Sequence, residues 1–248
     1  MTVMVARERL EDLSTWMRDE AVEWRVSERV AWAFAVVPIV VALFVAVSAL
    51  YRPLYGVFVN EDGLGEWATF LAVIVLVPMG LAIARRLWRL NERSWALLFV
   101  VAAIGAFFIA GEEISWGQRV FGFATPGDLA EVNRQGETNV HNIGSVLSFL
   151  NLAMFIVAVV AGMMPFIWRW GAHARQRDIS TMIVVPPLFL ASSFLLAAAY
   201  RLVRYALLPD AHYVISRYAE FIELLMFGAL LAFAVLLYRR LPTAEADT

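Results

Sequence analysis

The chain has 248 residues, of which 61% are hydrophobic and 17% charged, and its formal net charge is -2. Ordinary soluble domains are about 45–50% apolar, so this composition excludes a soluble globular enzyme. The near-neutral charge leaves no basic surface for nucleic acid, which excludes it as a partner. With no cysteine, and with arginine supplying every basic residue, thiolate sites and lysine chemistry are also excluded.

Residues 1–29 are mostly polar, but apolar side chains recur among them at helical spacing. This pattern predicts a cytoplasmic amphipathic helix lying on lipid headgroups or against the rest of the protein, with a docking helix for a partner as the alternative. The side chains that form the stripe are Leu10, Leu13, Met17, Ala21 and Trp24.

Six apolar runs, each about 20 residues long, are sufficient to cross roughly 30 Å of hydrocarbon. We therefore predict an all-α membrane helix bundle over residues 30–238, with a cytoplasmic tail at 239–248. The runs are Val30 to Tyr51, Trp67 to Leu87, Trp95 to Ile114, Ile143 to Trp168, Met182 to Val203 and Tyr218 to Tyr238.

The distribution of arginine predicts the orientation. Of the 20 basic residues, 14 lie before the first span, in the second-to-third and fourth-to-fifth connections, and in the tail. Positive residues favour the cytoplasmic side, so both termini are expected there and the 117–142 loop on the opposite side.

Two adjacent carboxylates, Glu112 and Glu113, end the third span, about one helical turn inside an interface marked by Trp116. Ionisable groups at such depth usually face a partner or a wet cavity and are candidate functional groups.

The loop that follows has the signals of a short helix. Thr125 is placed to cap it, Pro126 takes its first position, and Gly136 is placed to end it after Gln135. A helical continuation would put Glu137 and His141 on one face at i and i+4, where a carboxylate and an imidazole can share a metal or a proton.

The six-span topology brings the polar residues of this side to one level of the membrane. We interpret them as a pocket for an envelope lipid or lipid-linked headgroup, with Glu112, Glu113 and His141 as catalytic candidates and Arg201 with Arg204 as an anion clamp. The predicted substrate-binding residues are Gln118, Arg119, Glu137, Asn142, Arg201, Arg204, His212, Arg217, Glu220 and Glu223.

Several alternatives remain open at this stage. A divalent metal could be held by Glu112 or Glu113 with His141 and either His212 or Glu220, which leaves the cofactor undetermined. The charges could instead be ion pairs between helices in a structural or assembly subunit whose partners are other membrane subunits. An ion or solute carrier is a third possibility, although the cytoplasmic halves of the spans supply few polar residues.

The segment from Gly111 to Asn142 carries the pattern GEEISWGQR followed by N-x-QGE-x-N-x-HN. It resembles the signature of a family of bacterial multi-pass membrane proteins. That resemblance implies residence in the bacterial cytoplasmic (inner) membrane and no particular activity.

Two further resemblances concern the same stretch. Glu112 and Glu113 followed by Arg119 are similar to the EExxxR motif of CAAX-type intramembrane glutamate proteases, although Arg119 stands two positions later. In that family the Glu activates water and later histidines assist. An ordered set of residues resembles VanZ-like membrane proteins and implies an envelope-associated function; it comprises Glu113, Gln118, Arg119, Asp128, Asn133 and Gly136.

Overall fold

The computed structural model describes residues 2–60, 63–133, 136–140, 143–171, 177–208 and 212–242, with the backbone alone for residues 2–11, 119, 144 and 145. Every regular element in these ranges is helical, which confirms the all-α prediction. The helices are α1 (Thr2–Glu23), α2 (Glu28–Ser48), α3 (Arg52–Val59), α4 (Leu64–Arg89), α5 (Arg93–Glu113), α6 (Gln118–Phe121), α7 (Gly127–Val132), α8 (Gly144–Gly171), α9 (Ile179–Val184), α10 (Ala191–Leu202) and α11 (Tyr213–Arg240).

Six segments of the described chain are long and apolar enough to cross a membrane, and they coincide with the six predicted spans. Helices α2, α5, α8 and α11 supply one span each, the second span runs over α3 and α4, and α9 and α10 together form the fifth. The protein is therefore a multi-pass membrane helix bundle. Its orientation across the bilayer remains a prediction.

The spanning helices pack in the series α5, α4, α11, α10 and α8, and α2 lies against α10 and α11. Lipid is as apolar as the helix surfaces, so the association of helices in a membrane depends on close packing. Small residues at the contacts allow the two helix backbones to approach each other. A side chain added at Gly80 of α4 would meet Ala103 of α5 at 3.2 Å. Likewise, a Cβ at Gly162 of α8 would lie 2.8 Å from Leu195 of α10.

The fifth span is the centre of the bundle, with 72% of its apolar window buried against 17% for α2. Pro186 and Pro187 break this span between α9 and α10, because proline lacks the backbone donor that a continuous helix needs. Pro38 and Pro78, by contrast, lie inside unbroken helices.

Helix α1 packs on the bundle through one face, which buries Met17, Ala21 and Trp24 as the apolar stripe predicts. Glu20 lies within this face and is fully buried. Its carboxylate accepts a hydrogen bond from Arg177 Nη2 at 2.6 Å and another from the backbone N–H of Leu188 at 3.1 Å. Burial raises the pKa of Glu20, and the Arg177 charge opposes that rise.

The first backbone N–H groups after the proline break have no acceptor within their own helix. Glu20 supplies an acceptor for one of them, the N–H of Leu188. Since a carboxylate is also favoured at the amino end of a helix, the pairing joins α1 to the centre of the fifth span. The sequence offered a signal for this contact, because Glu20 lies between Met17 and Trp24 on the apolar stripe.

Candidate functional site

A cavity of about 510 Å³ lies between α8 and α10. We call it the α8–α10 cavity. Its polar wall consists of Ser148, Asn151, Arg201, Arg204 and Tyr205. Apolar side chains complete the wall, among them Leu147, Leu152, Phe155 and Leu202.

Arg201 is the most deeply buried charge on this wall, with 3% of its surface exposed. Its Nη2 donates to Glu223 Oε1 of α11 at 3.3 Å and contacts Met154 Sδ of α8 at 3.0 Å. Its Nε and Nη1 are buried and have no hydrogen-bond partner among the described residues. A buried donor without a partner costs free energy, so these two N–H groups are candidate donors to a bound acceptor.

The chain after Arg201 leaves the α-helical path. Residues Val203–Leu207 form a π-helical turn, a feature that is rare and frequent at functional sites. This turn places three residues on the cavity wall: Arg204, Tyr205 and Ala206. Arg204 donates to the carbonyl of Leu208 at 3.2 Å, and its guanidinium lies 5.3 Å from the centre of the Tyr205 ring.

A second polar cluster joins Glu112, at the end of α5, to described residues of the segment between α5 and α8; we call it the connector cluster. Its other members include Ser115, Gln118 and Glu137. Glu112, at the end of α5, is 4% exposed. Trp116 Nε1 donates to its Oε1 and the backbone N–H of Val140 to its Oε2, each at 2.6 Å. Both carboxylate oxygens thus hold the connector against the end of α5.

A left-handed turn begins the connector. Ser115, Trp116 and Gly117 have φ values of 47°, 53° and 86°. The left-handed conformation is costly for residues with a Cβ, so the hydrogen bonds of the cluster must hold Ser115 and Trp116 in place. The turn folds the Trp116 ring back on α5, where a Cβ at Gly111 would meet it at 2.9 Å.

Glu137 joins the same cluster. Its Oε2 accepts from Ser115 Oγ at 2.9 Å and from Asn139 Nδ2 at 2.7 Å. Residues 136–140 contain no helix, so the helical continuation that would place Glu137 and His141 on one face is absent from the described part of this segment. Hydrogen bonds from buried asparagine side chains replace the helical ladder here.

The predicted surface helix is present but shorter, since α7 covers only Gly127–Val132. Thr125 does not cap it with its side chain. The Thr125 hydroxyl instead donates to the carbonyl of Gly136 and accepts from Gln118 Nε2, both at 2.7 Å. Gln118 Oε1 in turn accepts from the Thr138 backbone at 2.6 Å, so Gln118 belongs to the connector cluster.

The remaining predicted residues are spread along the same end of the helices. His212 caps α11, where its Nδ1 accepts from the backbone of Val214 at 3.4 Å, and Arg217 lies over the Tyr213 ring. Glu220 and Glu113 are half-buried on α11 and α5. The described ranges do not include His141 or Asn142, nor the side chain of Arg119.

The expected single pocket is therefore resolved into two groups. Arg201 and Arg204 lie on the cavity wall and Glu223 contacts Arg201, whereas Glu112, Gln118 and Glu137 belong to the connector cluster. Within the described ranges, no three His, Asp or Glu side chains come together as a metal site.

Three polar residues of the cavity were missed by sequence reasoning: Ser148, Asn151 and Tyr205. Asn151 is a buried amide in the apolar run of α8, a polar position within a span that could have been noticed. Tyr205 is interfacial by composition, and only the π-helical turn directs it to the cavity.

Comparisons with protein-family models, with curated proteins and with solved structures found no match to this chain. The fold and the site together define a six-span membrane protein with a polar cavity between two of its helices.

Proposed function

We propose that this protein binds the anionic headgroup of a membrane amphiphile in the α8–α10 cavity. The observation that carries the proposal is the Arg201 guanidinium: Arg201 lines the cavity, and its Nε and Nη1 are buried without a hydrogen-bond partner among the described residues. A second guanidinium, that of Arg204, shares the wall.

The energetics favour an anion over water alone. A buried guanidinium is stabilised only when opposite charge and hydrogen bonds compensate its desolvation. Glu223 is in contact with one nitrogen of Arg201, at the long distance of 3.3 Å. Oxygens of a phosphate or carboxylate would accept the remaining donors in the geometry that arginine favours.

The apolar part of the wall favours a ligand with a hydrocarbon tail. Leu152 and Leu202 line the cavity and are 57% and 50% exposed on the outside of the bundle, where lipid surrounds it. A lipid could place its headgroup against the polar wall of the cavity and its acyl chain along Leu152 and Leu202. A free anion from water would use only the polar part.

The connector cluster has a structural role in this proposal. Both oxygens of Glu112 hold Trp116 and Val140, which are contacts of a positioning residue. We therefore propose binding as the function and assign no catalytic step to Glu112.

We also propose the bacterial cytoplasmic membrane as the location, with the cavity toward the extracytoplasmic side. The support is the placement of 14 of the 20 arginines on the opposite side of the spans. Lipid headgroups of the outer leaflet would then lie at the level of Arg201.

The test is native mass spectrometry of the purified protein in a mild uncharged detergent supplemented with phosphatidylglycerol. We expect retained lipid adducts that fall about tenfold in Arg201→Gln, because hydrogen bonds to a charged group are lost. Arg85→Gln is the matched control, since Arg85 is exposed on α4. Equal adducts in wild type and Arg201→Gln would refute the proposal.

A competition distinguishes an amphiphile from a free anion. Glycerophosphoglycerol has the same headgroup without acyl chains. An amphiphile site is expected to keep its phosphatidylglycerol adducts in an equimolar mixture of the two. Displacement by the chainless compound would show that the site recognises a soluble anion.

A further inference from the structure

We infer that the segment after α5 inserts an aromatic face into the lipid leaflet at the C-terminal end of that helix. We call this surface the connector face. It consists of Trp116, Val120, Phe121 and Phe123, and all four side chains are exposed in the isolated chain. The proposed lipid contact is separate from the α8–α10 cavity and from the headgroup proposed to bind there.

Trp116 lies against the outside of α5. The left-handed turn at Ser115 and Trp116 directs the indole ring back along the helix, where its centre is 6.2 Å from that of Phe107 and 5.5 Å from that of Phe108. At a rise of about 1.5 Å per residue, Phe108 lies about 7–8 Å before the end of α5 at Glu113. The Trp116 ring is therefore set back from the end of the helix, toward the middle of the span.

Lipid is the environment at this level of α5. The helix is one of the six apolar segments that can cross a membrane, and only 22% of its apolar window is buried. Phe107 and Phe108 are exposed on it, so they face lipid in the membrane. Trp116 extends their surface, while its indole N–H donates to Glu112. Tryptophan favours membrane interfaces because it combines an apolar ring with one polar group.

Phe121 continues the apolar surface beyond Trp116. A Cβ at Gly117 would lie 3.0 Å from the Phe121 ring, so this ring stands beside the residue that follows Trp116. Phe121 is 80% exposed, and its neighbour Val120 is 58% exposed. Apolar groups with so much exposed surface are costly in water, and the boundary between headgroups and acyl chains removes them from it.

Continuity with α5 favours lipid over a second copy of this chain as the cover. A second copy that covered Trp116 would also have to displace lipid from Phe107 and Phe108. That exchange gains little, because lipid tails are as apolar as the side chains that would replace them. The bilayer can cover α5 and the connector face together.

The test places an environment-sensitive fluorophore on the connector face. Since the chain has no cysteine, a nitrobenzoxadiazole maleimide on Phe121→Cys or Phe123→Cys reports on one position at a time. The whole chain is reconstituted at a high lipid-to-protein ratio into phosphatidylcholine vesicles. Part of the lipid carries a nitroxide quencher near the carboxyl end of one acyl chain. Glu131→Cys is the matched control, because Glu131 is an exposed charged residue on α7.

We expect the nitroxide lipid to quench the label at residues 121 and 123 about tenfold more strongly than at residue 131. Burial of one large apolar side chain favours an inserted state on that scale. Melting temperatures identify any loss of folded protein, and the two reporter positions keep the test decisive if one variant does not fold.

Two results would overturn the inference. Equally weak quenching at all three positions, with the emission of the free label in buffer, would place the connector face in water. Blue-shifted emission without quenching by the nitroxide lipid would show that a second copy covers it. Strong quenching at residues 121 and 123 supports the lipid contact whether or not Arg201 binds a headgroup, so this test and that of the proposed function can fail separately.

Discussion

Glu20 accepts a hydrogen bond from the backbone of Leu188 across 168 positions of sequence, at the point where two prolines interrupt the fifth span. The same carboxylate pairs with Arg177, whose side chain is fully buried. Helix α1 is therefore part of the packed structure, joined to the most buried span.

Removal of the Glu20 carboxylate should destabilise the protein strongly. Glu20→Ala leaves Arg177 without its 2.6 Å partner and the Leu188 N–H without an acceptor. Breaking a buried pair from one side costs about 3–5 kcal/mol. Thermal unfolding in detergent measures the loss.

Asp19→Ala is the control for this experiment, because Asp19 is half-exposed and pairs with the partly exposed Arg169 at 2.8 Å. Exposed pairs contribute about 0–1 kcal/mol, so only a small change is expected. The double variant Glu20→Met with Arg177→Met should be more stable than Glu20→Ala, since no unpaired charge remains. Equal losses in Glu20→Ala and Asp19→Ala would contradict the buried-pair interpretation.

The backbone amide of Val140 should report on Glu112. Glu112→Ala removes the acceptor of its 2.6 Å hydrogen bond. A hydrogen bond to a charged group is worth about 1.5–3 kcal/mol, which corresponds to amide exchange roughly ten to a hundred times faster. Hydrogen exchange measures it. Glu131→Ala, on the exposed surface of α7, should leave the rate unchanged; acceleration in both variants would count against a specific role of Glu112.

Gly117 should resist substitution because of its backbone. Its φ is 86°, and an added Cβ would lie 3.0 Å from the Phe121 ring. Gly117→Ala is expected to cost about 1–2 kcal/mol, the penalty of a left-handed residue with a Cβ. Gly127→Ala is the control, since nothing lies within 4 Å of its Cβ position. Melting temperatures compare the two, and similar values would be inconsistent with this backbone geometry.

The packing of α8 on α10 should limit the size of residue 162. Gly162→Leu must displace Leu195, because even a Cβ there would lie 2.8 Å from its Cδ2. Overpacking usually costs about 1–3 kcal/mol, and here it also separates the two walls of the cavity. We expect a lower melting temperature together with weaker phosphatidylglycerol binding. Gly105→Leu, in open space on α5, should change neither property.

The orientation can be tested with single cysteines, since the chain has none of its own. We expect a membrane-impermeant maleimide to label Glu131→Cys on α7 in intact cells whose outer barrier has been removed. Arg89→Cys lies at the C-terminal end of α4, on the predicted cytoplasmic side, and should react only after the membrane is permeabilised. The reverse pattern would invert the predicted topology.

Much of the fold could be predicted because the membrane imposes a simple rule on composition. Each span is a long apolar run, and its length follows from the thickness of the bilayer. Pro186 and Pro187 are visible in the fifth span, but the sequence does not show that Glu20 from another helix accepts the Leu188 N–H that follows them.

The site was predictable only in part. Arg201 and Arg204 stand out as charges in an apolar run, and the structure does place both on one cavity. The connector was less predictable, since its path depends on left-handed Ser115 and Trp116, which local preference disfavours. Tertiary hydrogen bonds to Glu112 and Glu137 outweigh that preference.

Under the proposed function, the buried Nε and Nη1 of Arg201 link the stability of this protein to the lipid composition of its membrane. Under the same proposal, a bound headgroup compensates the desolvated Arg201 guanidinium in the folded state alone. In a membrane poor in such lipid, more of the protein should unfold and be degraded. Its abundance should therefore rise and fall with the supply of that headgroup, even where the gene is expressed at a constant rate.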